Sequence, residues 1–462
     1  MIYQGTSNIS NDLSSSGMTP EESATLAAAK TQAQTNDANV ADIKNEQITQ
    51  NAALAAVETV INGNASDISN LKTETSTLSD SISIIEKDIV VLKNGIKTSS
   101  ALLTITQDLS NSDPAGCLTV SDDLASLSEA QTLEWLGLKP ILFANSNEAG
   151  DLNPNNYAQF TTGSAADITT LGNDVMVKHP ARAWKIWKEN GKTYRQLTDD
   201  LNASGFVKYA FIDESNTLKD AFYLGAYEAY ASSNKLYSSS GKQPTVSTTL
   251  GNFRTYAKNR GTGYCLQGWY QLLYQQLCYL FVHRSLNGQA KVGLGNVSSS
   301  AALQTGTLNA KGASYGDTSG TTAVKCNYIE NPWGNVFTWV DKFCTGSAGQ
   351  PLVTTGPGND TGAGYSDPLG GANHFNTTSG TSWDWLKETT DTNELGFYPY
   401  SLTGGSASTY YSDDSYCSDA SYPLAIVGGG WRNGAGAGPF YFRAYSAATD
   451  ADSSIGARVC FL

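Results

Sequence analysis

Apolar side chains recur in steps of three and four residues from Val40 to Ile96, and this spacing constrains the chain more than any other feature. The positions are Val40, Ile43, Gln47, Gln50, Leu54, Val57, Ile61, Asn64, Ile68, Leu71, Thr75, Leu78, Ile82, Ile85, Ile89, Leu92 and Ile96. The register holds over eight heptads without a slip, which predicts a left-handed coiled coil. At ~1.5 Å per residue the rod would be roughly 90 Å long. With Val40 at a, isoleucine also stands at d (Ile43, Ile85). β-Branched residues at both seam positions shift preference from two strands toward three or four, so a homotrimer is expected. Gln47, Gln50 and Asn64 place polar layers in the seam and fix its register. The segment Thr19-Pro20-Glu21-Glu22 reads as a capped helix start: Thr as cap, Pro in the first turn, acids facing the positive end.

The period breaks after Lys97, which gives a division into an attachment segment (1–30), a stalk (31–97), a connector (98–173) and a head (174–462). The head reads as short strands and turns. Met176–Trp187 and Lys192–Leu197 are a strand pair joined by a Lys188-Glu189-Asn190-Gly191 turn. Tyr264–Val282 carries apolar residues at helical spacing (Trp269, Leu272, Leu273, Leu277, Leu280) and predicts a buried helix. The fold class is therefore α+β, with a helical rod ahead of a compact head.

The net charge of −14 argues against nucleic acid, because phosphate binding needs a basic footprint. The first residues have neither the basic nor the apolar region of a secretory signal, and no apolar run is long enough to span a bilayer. Synthesis in a host cytoplasm without membrane insertion is the expectation. Seven cysteines are dispersed without metal-ligand spacing, which suits buried thiols better than a disulfide framework. His179, His283 and His374 are equally dispersed. No metal or other cofactor is expected, although loop carbonyls holding a Ca²⁺ ion stay open as an alternative.

Five stretches of the chain together resemble a known family. They are Leu152–Tyr157 with Ala165–Thr169, Gly172–Val177 with His179-Pro180, Phe222–Glu228, Asn331–Val340, and Gly428–Trp431 through Ile455–Arg458. Their order and spacing resemble C-type-lectin-like domains of the formylglycine-generating-enzyme subclass. They are closer still to the variable proteins of diversity-generating retroelements, which include phage tropism determinants. The resemblance implies a C-type-lectin-like head on a virion tail fibre. The head would bind a host cell-surface protein or glycan, and the N-terminus would attach to a phage tail or baseplate protein.

The resemblance also singles out Gly430–Ser454, which contains no Lys, Glu, Gln or Met. In that family, adenines of a template are miscopied. Randomised Asn codons reach Arg, Gly, Tyr, Ser, Thr, Asp and Ala but none of the four missing residues. The implied variable positions are Gly430, Arg432, Asn433, Gly436, Arg443, Tyr445, Ser446, Thr449, Asp450, Asp452, Ser453 and Ser454. Trp431, Phe440 and Phe442 would be their scaffold. Arg and Tyr are common energetic anchors, and Ser supplies adaptable hydrogen bonds.

Enzymatic readings are weaker. The formylglycine chemistry needs a cysteine pair in the segment after the Gly-Gly-aromatic motif, and Arg432–Phe442 contains no cysteine. A glycan-degrading tailspike needs two spaced carboxylates. Asp384 and Glu388, near Trp383 and Trp385, fit an ordinary surface turn better. Asp213-Glu214-Ser215-Asn216 lacks the Ca²⁺-loop spacing, and Gly434–Gly438 lacks the lysine of a phosphate loop. No catalytic residue is assigned.

Overall fold

The computed structural model describes residues 19–61, 75, 78, 81–82, 101–346, 349–371, 383–417 and 423–462. It divides into two units, 1–100 and 101–462.

In the first unit a helix of 42 residues runs unbroken from Pro20 to Ile61. Its start is a reciprocal cap. The Glu22 carboxylate accepts from the Thr19 backbone N–H (2.8 Å) and hydroxyl (2.7 Å), while the Thr19 hydroxyl accepts from the Glu22 N–H. Ile43 and Ile48 stand 40% and 66% exposed on this helix. The heptad positions from Asn64 onward lie outside the described residues, apart from Thr75, Leu78 and Ile82, which are helical.

The second unit is a mixed α+β fold dominated by sheets. Residues 101–173, read above as a connector, supply strands to two of them. One is a four-stranded sheet in which Leu102–Asp108 pairs along its length with Lys192–Thr198. The other has seven strands, and there Lys139–Ala144 pairs with Asn173–Pro180. The strand expected over Met176–Trp187 is two strands. Asn173–Pro180 belongs to the seven-stranded sheet and Ala183–Glu189 to the four-stranded one. The break falls at Ala181-Arg182, directly after Pro180, which ends one ladder because it has no N–H to donate. The hairpin through Asn190-Gly191 forms, with both residues at positive φ.

Alternation along the strands sends side chains into two separate hydrophobic clusters. Leu142, Val175, Val177 and Cys460 enter one, while Ile141, Phe143, Met176 and Val459 enter the other. The helix Trp269–His283 is buried at every residue except Gln275, so it is a core helix rather than an amphipathic one. Its predicted first turn is instead a strand, Tyr264–Leu266, paired with Val459–Phe461. Four buried indoles find acceptors. The ring N–H groups of Trp184, Trp269, Trp333 and Trp339 donate to the carbonyls of Asn393, Glu394, Gly293 and Thr248.

Three of the resembling stretches meet in one buried polar network. The Glu228 carboxylate accepts from the side-chain amides of Asn331 and Asn335 and from the Val336 N–H. The Arg458 guanidinium donates to the carbonyls of Gly225, Glu330 and Asn331 at 2.9–3.0 Å. Both side chains are about fully buried (1% and 2% exposed). The Asn331 and Asn335 backbones sit at positive φ, which asparagine tolerates better than most residues. Burial raises the Glu228 carboxyl to about 7, against the opposing pull of Arg458.

Glu228 therefore holds a proton in the folded chain over a range where the unfolded chain has lost it. Its contribution is present below its ordinary value of 4.5 and is lost as pH rises toward about 7. Replacing Glu228 with Gln mimics the protonated form and should flatten this part of the profile. Calorimetric melting of both proteins between about pH 5 and about pH 8 checks it, since the two slopes should differ.

Candidate ligand-binding surface

The Gly430–Ser454 window is organised around the strand Phe442–Ser446, which lies third in a six-stranded sheet. On one side it pairs antiparallel with Leu424–Val427, and on the other in parallel with Asp414–Cys417. Asp384–Trp385 forms the edge beyond. Phe442, Ala444 and Ser446 point inward and are buried, whereas Arg443 and Tyr445 point outward. The outward face is covered over Leu424–Val427, where Leu424 and Ile426 join the second hydrophobic cluster. Toward the Asp414–Cys417 edge, Asp414 and Tyr416 are half-buried and Tyr445 is 52% exposed.

On that uncovered face the aromatic rings form one connected group. Tyr445 meets Tyr416 edge-on at 5.3 Å, and Tyr416 meets Trp383 at 5.2 Å. Trp383 also packs at 5.9 Å on Tyr441, which is buried. The Arg443 guanidinium lies between Trp383 (5.7 Å) and Tyr445 (5.4 Å), held by cation–π attraction. Its Nε is buried without a hydrogen-bond partner. The buried Arg458, by contrast, donates to three protein carbonyls. Beside it, Arg443, Ser446, Asp450, Asp452 and Ser454 line a depression. Asp450 accepts from the Ala447 N–H, and Asp452 from the N–H and hydroxyl of Ser454. Each aspartate thereby braces its own turn. Asp414 sits near Asp384, and burial with that second negative charge pushes its carboxyl up to about 6.

The twelve window positions divide by burial. Arg432, Tyr445, Thr449, Asp452 and Ser453 are exposed, and Asn433, Arg443, Asp450 and Ser454 are half-buried. Gly430, Gly436 and Ser446 are buried. Ser446 faces inward because strand alternation places it with Phe442 and Ala444. A Cβ on Gly436 would run into the Asp414 carboxylate, and one on Gly438 into the buried Asp413 carboxylate. Phe440 and Phe442 are buried as scaffold. Trp431 is half-buried and is tied through its backbone, whose N–H donates to Asn335 and whose carbonyl accepts from Ser299. Gly428 approaches the Pro332 carbonyl so closely that a Cβ would lie 2.9 Å from it, at positive φ. After the window, Ile455–Val459 is shared between two short strands in different sheets, Ile455–Gly456 and Val459–Phe461.

Trp383, Tyr416 and Tyr441 complete this surface without having been singled out for it from the sequence. Tyr441 lies inside the window; alternation with Phe442 puts it on the side of Arg443 and Tyr445, where it is buried beneath Trp383. Tyr416 reaches the surface through a parallel pairing with the window strand, and Trp383 beside an edge strand paired antiparallel with it, across distant segments that leave no local pattern. Of the three histidines, His179 is buried and stacked on Phe222. His283 is buried against Cys326, and His374 lies outside the described residues. Cys460 is buried opposite Cys265 in the strand register. Among the described residues, no helix is long and apolar enough to cross a membrane.

No protein-family model and no curated protein sequence matches the chain. Among solved structures it is similar to the Major Tropism Determinant U1 variant, at 11% identity over 79% of this chain and 72% of that one, with a TM-score of 0.25. The P3c variant gives 12% identity, the same coverage and a TM-score of 0.25. PvdO from Pseudomonas aeruginosa gives 13% identity over 64% of this chain and 99% of that one, with a TM-score of 0.19.

The packing yields a direct test within the Gly434–Gly438 run. Gly436→Ala should cost ~1–3 kcal/mol through its collision with Asp414. Gly434 has φ +55° and open space around its would-be Cβ, so Gly434→Asn should stay within ~0.5 kcal/mol of the parent. Urea unfolding of the two variants measures the contrast.

Proposed function

We propose that the chain is a virion fibre protein that recognises a host cell surface through the outward face of the Phe442–Ser446 strand and the turn that follows it. The observation that carries this reading is the split within the window. One set of side chains builds the sheet, while the alternating Arg443 and Tyr445 and the Asp and Ser residues of the following turn are left at least partly exposed. That pattern suits recognition, in which a fixed backbone presents exchangeable contacts. Catalysis forms no part of the proposal. Diversification of Arg432, Arg443, Tyr445, Thr449, Asp450, Asp452, Ser453 and Ser454 by a retroelement belongs to the same proposal. Adjacent DNA should then hold a near copy of the last codons, rich in AAC or AAT, beside a reverse transcriptase.

The heptads from Val40 to Ile96 support a homotrimeric stalk. Three copies of a modest site on one tip could raise avidity by ~10²–10⁴ when ligands are dense. Light scattering on the full chain should return three times the 49.1 kDa chain mass. The fluorescently labelled protein should decorate a subset of a bacterial panel. Tyr445→Ala with Arg443→Ala should cut that decoration by at least ~10-fold, since such anchors contribute ~2 kcal/mol or more. Decoration that survives both changes but follows the N-terminal residues would place the site elsewhere.

A further inference from the structure

We infer that the surface binds carbohydrate, and that Trp383 and Tyr416, outside the window, form a fixed half of the sugar site. This rests on the recognition reading above and names its ligand class.

The aromatic group comes first. Trp383 (47% exposed) and Tyr445 (52% exposed) are the large hydrophobic side chains that this face leaves open. No exposed leucine or isoleucine accompanies them among the described residues of the face; the exposed Leu102 and Leu218 belong to other parts of the chain. A protein hot spot is centred on a desolvated apolar pocket. Open aromatic faces without aliphatic neighbours instead suit a sugar ring. Its C–H face carries weak positive charge and stacks on the negative face of an aromatic ring.

The depression beside the rings has the complementary chemistry. Arg443 offers donors, Asp450 and Asp452 offer acceptors, and Ser454 offers both. A sugar hydroxyl also donates and accepts at once, so such a mixed lining matches it, whereas an anion or a cation would call for one sign. One group here lacks a protein partner: the Arg443 Nε is buried and unbonded, and buried polar groups are normally paired. The short bonds from Asp452 to Ser454 hold the acceptor in place before any ligand arrives. Arg443 joins the two halves, because it lies over Trp383 and Tyr445 and also lines the depression.

The test uses the full chain on an array of bacterial capsular, O-antigen and teichoic saccharides. At least one saccharide should bind, and the same saccharide in solution should compete with cell decoration. Trp383→Ala and Asp452→Asn should each weaken that binding about ten-fold or more, while Trp383→Phe, which keeps a ring face, should retain most of it. The melting temperature of each variant is checked alongside, as a partly exposed residue should leave it unchanged. Periodate treatment of decorated cells should abolish decoration, and proteinase K should not. If no saccharide binds and proteinase K removes decoration, the carbohydrate inference fails while receptor recognition stands. If neither saccharides nor cells are bound, the recognition reading fails with it. If Trp383→Ala binds the saccharide as the parent does, the fixed half of the site is wrong.

Discussion

The buried polar network that ties Glu228 and Arg458 to the Asn331–Val336 turn is the constraint on which the second unit depends. Burying such polar groups is costly unless each is hydrogen-bonded, and removing either side chain would leave its partners unsatisfied, at ~1–3 kcal/mol. Here the surrounding acceptors and donors are supplied by backbone groups of Gly225, Glu330, Asn331 and Val336. Glu330 extends the network by accepting from the N–H groups of Gly306 and Leu308. The network thus ties down the start of the Phe337–Val340 strand, fifth in the six-stranded sheet between Leu424–Val427 and Ile455–Gly456. The outward face of Phe442–Ser446 is two strands away from this anchor.

Much of this was legible in the sequence where the signal is local. The heptads and the Thr19–Glu22 cap mark a long helix, and Asn190-Gly191 marks a hairpin. The apolar run through Leu280 marks a buried helix. The Asn331–Val340 stretch stood out by resemblance, although nothing local showed that its asparagines would donate to Glu228. Boundaries failed where one run of strand-like residues serves two sheets. Met176–Trp187 and Ile455–Val459 both look continuous, and in each case the chain changes sheets partway. Local pattern reports that a residue is buried and not which ladder it joins.

The surface was half legible for the same reason. Composition marked Arg443 and Tyr445 because they stand in a window with a restricted alphabet. It also marked Gly436 and Ser446, which are buried, because composition is blind to the alternation of a strand. Trp383 and Tyr416 carry no such mark. Tyr416 arrives beside Arg443 through a parallel pairing between segments that share no turn, and parallel pairs need long crossovers. Trp383 arrives beside the edge strand paired antiparallel with that one.

That parallel pairing has a consequence for how such a surface changes over generations. The strand Asp414–Cys417 and the edge Asp384–Trp385 are encoded upstream of the final thirty-odd residues, yet they stand shoulder to shoulder with them. Edits confined to the chain's end would rewrite one flank of the surface and leave the other flank intact. Such a lineage would explore new partners without ever starting from nothing, because part of its grip would be inherited unchanged with each revision.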